Sequence, residues 1–368
     1  MRNSTTYILA GPKTFRRSSR KMINGCGVNM QNIQKDKRGI YYPDGFDPAN
    51  MALKEKCLWY LKTGEWDVFT QEELSKLKVM SQADQSGAEA LIVAYDSEPK
   101  DYRQLFIHNV KPHVYVAMKL FKEVWAKKLS TLQGFSIDEF DRTPIALLKK
   151  NPLWKDLDSL IKSSDNWQAS ERYYYLAKQT CHSANYGIEA QTFRMNILEK
   201  SEGKIVISFK DAQLFLEIYR GLFPEIPQSN ERIRYQVETT RILYNMLGHP
   251  YQITDYNLDK MKDYFAWPRQ STVGEITRQA YCCLQEWIEQ YKLDWDILGD
   301  CHDSYLAQCP LYEVIDLKKK QQEYLNIEMT SPIDGTKFRM RSEVQIGFNW
   351  GPEKESNPLG LRECGWMN

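Results

Sequence analysis

Two acidic residues lie far apart in the chain, and each stands where the residue pattern changes. Asp84 closes the strand-like run KVMSQAD, and a helical stretch follows at once. Asp303 stands beside His302, one of five His, within LGDCHDSYLAQ (298–308), which reads as two short strands about a turn. Turn chemistry alone accounts for an Asp there, since Asp tolerates tight turns and hydrogen-bonds its own backbone. The second reading is as oxygen ligands for a hard divalent cation. If folding carries both carboxylates to one end of a sheet, they can bridge two Mg²⁺ ions about 3.5–4 Å apart, as phosphoryl transfer uses. One ion then lowers the pKa of the attacking hydroxyl, and the other neutralises charge on the leaving group.

A third set sits in RYYYLAKQTCHSANYG. On a helix Tyr174, Lys178, His182 and Tyr186 recur every four residues, each displaced by about 40° from the last, so they form one slowly drifting stripe. A cation and stackable rings on one face suit a nucleoside triphosphate, Lys for phosphate and the rings for base and sugar. The plain alternative is a surface helix with a snorkelling Lys. Just after Asp84, Ser86 and Glu89 match a capping box, which explains those two residues by structure alone.

The elements that must position these side chains follow from periodicity. TTYILAG near the start reads as extended, and residues 100 to 250 carry long amphipathic runs such as HVYVAMKLFKEVWAKKL. TVGEITRQAYCCLQEWIEQYKL predicts a long helix leading into the Asp303 hairpin, and RMRSEVQIGFNW a late strand. Residues 46 to 78 read as an inserted helical decoration, with a helix start at Thr70 marked by TQEE. The 368 residues suffice for a sizeable core, and 42% hydrophobic with 26% charged residues is an ordinary globular balance. No apolar run approaches the roughly 20 residues of a membrane span, and the amino terminus lacks a signal-peptide apolar segment, so the expected location is cytoplasmic, without a membrane partner. The eight Cys contain no Cys-x-x-Cys pair, which speaks against a structural zinc site and predicts core thiols. The net charge is +1, yet the residues before Asp44 hold nine Lys and Arg against the single acid Asp36. A local basic face of that kind attracts phosphates.

The order of these motifs resembles the polymerase region of family A DNA polymerases, DNA polymerase I-like and of a bacteriophage type. ADQSGAE resembles the family's first acidic motif, AKQTCHSANYG its nucleotide-binding finger helix, and CHDSYL its His-Asp hairpin. TFRRSSRKMINGCGVNMQNI is similar to the segments that hold primer and template. PDG (43–45), WPRQSTVG and EVQIGFNW are similar to three further elements, in the family's order from about Thr14 to Trp350.

The resemblance implies an α/β (α+β) right hand: a palm with an antiparallel sheet plus helical fingers, the thumb and exonuclease domain being absent. It implies primer- and template-binding palm in 1–45, the insertion in 46–78, palm in 79–99, fingers in 100–250 and palm again in 251–368. Asp84 and Asp303 would then be the catalytic, metal-binding carboxylates for two Mg²⁺ ions, with Mn²⁺ as the alternative. Lys178, His182, Tyr186 and Arg172 would bind the dNTP, and Glu89 would crowd the sugar 2′ position against a ribonucleotide. Arg16, Arg17, Gln31, Asn32, Gly187, Gln270 and His302 would hold primer–template DNA through backbone and minor-groove shape. The chain departs from the family at Tyr174, where an Arg is usual, at Gly87, Lys262 and Ala266, and at Ser304, where a Glu is usual. Without a thumb, the resemblance implies a split or truncated polymerase, or one served by a separate thumb- or exonuclease-bearing chain or processivity factor. Two other readings stand beside it: a non-catalytic primer–template-binding subunit, and a single-subunit RNA polymerase-like enzyme, against which Glu89 speaks.

Overall fold

The computed structural model describes residues 6–8, 18–20, 35–131, 134–164, 172–254, 256–301 and 303–367. The elements that carry the site are, in chain order, α1 (Met51–Thr63), β1 (Lys78–Gln85), α2 (Ala88–Tyr95), α3 (Pro112–Leu120), α4 (Tyr173–Ala184), α5 (Phe209–Leu222), α6 (Glu225–Thr239), α7 (Met261–Tyr291), β2 (Asp296–Cys301), β3 (Ser304–Pro310), α8 (Val314–Leu325) and β4 (Ser342–Gly347). They form two compact units. The first comprises the described residues up to Ala88, Gln270–Thr330 and those from Lys337 onward; the second is Glu89–Arg269 with Ser331–Thr336. The resemblance implies boundaries at 99/100 and 250/251; the division into compact units falls in the first turn of α2 and inside α7. An uninterrupted helix of 31 residues offers no composition shift to mark a boundary.

The first unit is built on a four-stranded antiparallel sheet in the order β4-β1-β3-β2. Strand alternation separates its faces. Val79, Ser81, Ala83 and Gln85 point to the helical side, where Ser81 Oγ donates to Gln321 Oε1 of α8 at 2.5 Å and Gln85 Nε2 donates to Thr277 Oγ1 of α7 at 2.7 Å. Met80, Gln82 and Asp84 point the other way. Met80 joins Leu306, Trp350 and Leu361 in a buried cluster, and Trp350 Nε1 donates to Gln82 Oε1 at 2.9 Å, so this face is covered up to Gln82 while Asp84 is half-buried.

The segment 46–78 is part of this unit's core rather than a decoration. Asn50 caps α1 by accepting from the Leu53 amide, and α1 buries Leu53, Cys57, Tyr60 and Leu61. The Tyr60 ring meets Phe69, Phe348 and Trp366, and its hydroxyl donates to the Leu311 carbonyl at 2.6 Å. The expected helix start at Thr70 is present as a complete capping box with Glu73. The Pro43-Asp44-Gly45 lead-in is anchored on both sides: Lys78 N donates to the Asp44 carbonyl at 2.9 Å and Asp44 N to Gln308 Oε1 at 3.0 Å. Gly45 has φ +76°, and a Cβ there would lie 2.1 Å from the Lys76 carbonyl oxygen, so the position requires glycine.

The second unit is mainly helical, as the periodicity of 100 to 250 predicts, with one small hairpin, Ile242–Tyr244 and Pro250–Gln252. Its core is aromatic: Tyr102, Tyr219 and Phe223 pack edge to face with centroids 4.9–6.4 Å apart. No helix among the described residues is long and apolar enough to cross a membrane. Cys57, Cys181, Cys309 and Cys364 are buried as expected, whereas Cys282 and Cys283 are exposed on α7.

Candidate active site

In the first unit the sheet register brings the two aspartates together. Asp84 of β1 lies opposite Ser304 of β3, and the Gln85 amide donates to the Asp303 carbonyl at 3.0 Å. Asp303 follows β2 in the turn to β3, where Cys301 pairs with Ser304. The strand ends therefore hold both residues half-buried at the same end of the sheet. Cys301 reports the resulting field: burial pushes its thiol up to about 11, Arg38 opposes, and Asp300, Asp303 and Asp84 add to the rise. On the other side of β1, Glu343 of β4 lies opposite Asp84 and accepts from Ser86 Oγ at 2.9 Å. The Ser86 amide donates to the Arg341 carbonyl at 2.9 Å rather than to the Glu89 side chain, as the capping box read from the sequence would have it.

A magnesium ion fits this donor set. Mg²⁺ is held by one or two carboxylates and keeps several waters or substrate phosphate oxygens, so it does not need a full protein cage. The described residues contain no group of three or more His, Cys, Asp or Glu that could hold a metal.

In the second unit α4 presents Lys178 and His182 to solvent, with Tyr174 and Tyr186 half-buried. The helix ends at Ala184 with Asn185 as its C-cap, so Tyr186 lies in the following turn and not on the helical stripe expected for it. The turn is closed by Gly187 at φ +69°, where a Cβ would come within 3.2 Å of the Phe265 ring. Outside the helix, the Tyr186 hydroxyl still reaches α2 and donates to Glu89 Oε2 at 2.7 Å, and His182 Nδ1 lies 3.9 Å from the same oxygen. Glu89, His182 and Tyr186 are thereby assembled. Arg172 precedes α4 and donates to the Lys204 carbonyl.

His113 of α3 is a member of this surface that spacing did not reveal. Its ring meets Tyr174 edge-on at 6.0 Å, and its pKa is pushed from 6.5 down to about 4 by burial and then by the neighbouring Lys178, His182 and Lys111. It stays neutral at pH 7 within a cluster of cations. Its one sequence signal, a His just after Pro112 at a helix start, is silent about α4. Of the residues read as holding primer–template, Gln270 is half-buried in α7 and Gly187 closes the α4 turn, while Arg16, Arg17, Gln31, Asn32 and His302 lie outside the described residues.

No protein-family model matches the chain. A DNA polymerase of Bacillus phage SP01 is 22% identical over 223 residues, covering 57% of this chain and 24% of its own length. Among solved structures, the POL domain of Pol1 from M. smegmatis, in complex with DNA primer-template and dNTP, superimposes over 94% of this chain with a TM-score of 0.57 at 17% identity. The chain spans about a quarter of the phage protein and 47% of the solved one. The mixed α/β class with an antiparallel sheet read from the sequence is the fold observed, and it is similar to the fold of that POL domain.

Proposed function

From a polymerase-domain fold as premise, we propose that the chain is a template-directed DNA polymerase that adds deoxynucleotides to a primer 3′-hydroxyl and releases pyrophosphate. The observation that carries this reading is the register that sets Asp84 beside Ser304 and the Asp303 carbonyl on the Gln85 amide. Two acids from distant parts of the chain are held at one end of the sheet by backbone hydrogen bonds, which fix position better than side-chain contacts do.

Asp84 and Asp303 would hold the Mg²⁺ ions, whose chemistry when bound is activation of the attacking hydroxyl and neutralisation of the leaving pyrophosphate. Lys178 and His182 are exposed cations or potential cations on α4 and attract the triphosphate. The Tyr186 hydroxyl holds the Glu89 carboxylate, which makes a rigid polar wall where a sugar 2′-hydroxyl would need space and a partner. That arrangement favours deoxy- over ribonucleotides and speaks against a transcribing enzyme. The likeness to a polymerase domain in complex with primer-template and dNTP supports the same partners for this chain.

Primer extension with Mg²⁺ tests the reading. The wild-type chain extends a primer by the templated deoxynucleotide, and Asp84→Asn and Asp303→Asn each lower the rate by ~10³ or more. Unchanged extension by Asp303→Asn would refute it.

A further inference from the structure

Arg269 follows Pro268 in the first third of α7 and is 0% exposed. A charged side chain is buried only at a large desolvation penalty unless its donors are met, and here four of its five N–H groups are. Nε donates to Asp96 Oδ2 at 3.0 Å, Nη1 to the Asn185 carbonyl at 2.9 Å and to Asn230 Oδ1 at 2.8 Å, and Nη2 to Ser229 Oγ at 2.8 Å. Asp96 is also held by Arg232, whose Nη2 donates to Oδ1 at 2.7 Å. The Asn185 carbonyl takes a second bond from Asn230 Nδ2 at 3.2 Å, and its side-chain oxygen accepts from the Tyr219 hydroxyl at 2.5 Å.

The two groups that Arg269 bridges are placed with a purpose that packing alone does not explain. Asn185 immediately precedes Tyr186. Asp96 immediately follows α2 and stands seven residues after Glu89, so two helical turns bring both acids to one face. One acid receives the Tyr186 hydroxyl, and the other receives the guanidinium that grips the residue before Tyr186. The fork thus ties the ends of α2 and α4 together at a fixed distance, which Lys could not do as a single point charge.

We propose that Arg269 is a positioning residue that sets the spacing of the Glu89–Tyr186 pair and through it the discrimination against ribonucleotides. This rests on the polymerase reading given above. Arg269 touches no substrate; it acts through Asn185 and Asp96. The resemblance carried by WPRQSTVG assigns a role to Gln270 and none to Arg269.

The test is Arg269→Lys, which keeps the charge beside Asp96 but loses the fork, with Asn230→Asp as a second variant that keeps the acceptor for Arg269 Nη1 but replaces the Nδ2 donor to the Asn185 carbonyl with a carboxylate oxygen. Two readouts are taken on the full chain. Amide hydrogen exchange of residues 186–188 accelerates about tenfold or more in folded variants, while that of α3 is unchanged. The ratio of dNTP to rNTP incorporation efficiency falls about tenfold with kcat altered less than about threefold, and adding Tyr186→Phe lowers it no further, because both changes act on one pair. Unchanged exchange at 186–188 in both variants overturns the positioning role. Faster exchange with unchanged discrimination, or losses that add with Tyr186→Phe, overturns the link to sugar selection. A wild-type chain that extends no primer removes the polymerase reading and the sugar-selecting role with it, and the exchange result then judges the positioning role alone.

Discussion

His113 gives the second unit an acid-sensitive step whose size follows from its surroundings. Its folded pKa is about 4 against 6.5 for a free imidazole, because burial and the charges of Lys178, His182 and Lys111 disfavour the imidazolium. Below pH 6.5 the unfolded chain takes up a proton that the folded chain refuses, so stability is full above that value and is lost as pH falls towards about 4. Between about pH 7.5 and pH 5 the linkage amounts to about 2 kcal/mol, and solvent screening of a half-buried ring brings it to between about 1 and 2 kcal/mol. Urea unfolding at those two pH values, for wild type and His113→Gln, measures it. Other groups titrate in the same range, so the quantity that matters is the difference between the two proteins. The wild type should lose about 1–2 kcal/mol more than the variant on acidification. An equal loss in both would refute the assignment of His113 as a neutral group among cations. The same reasoning predicts that pyrophosphate, by neutralising Lys178 and His182, raises the His113 pKa, which NMR titration of the ring would detect as a shift to higher pH.

Tyr186→Phe removes the hydroxyl donated to Glu89 and should reduce dNTP over rNTP selectivity about tenfold, read from single-nucleotide incorporation with each substrate. Tyr60→Phe leaves the Leu311 carbonyl without that partner and should lower unfolding free energy by about 1–2 kcal/mol in urea titration, without changing any kinetic constant by more than about twofold. Gly45→Ala forces a Cβ against the Lys76 carbonyl at φ +76° and should lose several kcal/mol, roughly 3 or more, seen as a large fall in Tm.

The chain's periodicities and punctuation were enough to place the elements that matter. A period of two ending at Asp84 and again around 298–308 marked strands of the four-stranded sheet, a period of 3.6 marked the helices, and Thr70-x-x-Glu73 marked a start that is present with both hydrogen bonds. Those are local signals, set by how side chains alternate on a strand or a helix, and a sequence displays them directly. What the sequence could not display is which distant residues meet. The register of β1 on β3, the reach of Tyr186 back to Glu89 from beyond the end of its helix, the packing of His113 against Tyr174, and the union of Asn185, Asn230, Ser229 and Asp96 around one buried guanidinium each join segments separated by long stretches of chain. A buried Arg looks like any surface Arg in a string of letters, because its meaning is carried by the desolvation that only the packed structure imposes and by the partners that only the packed structure supplies.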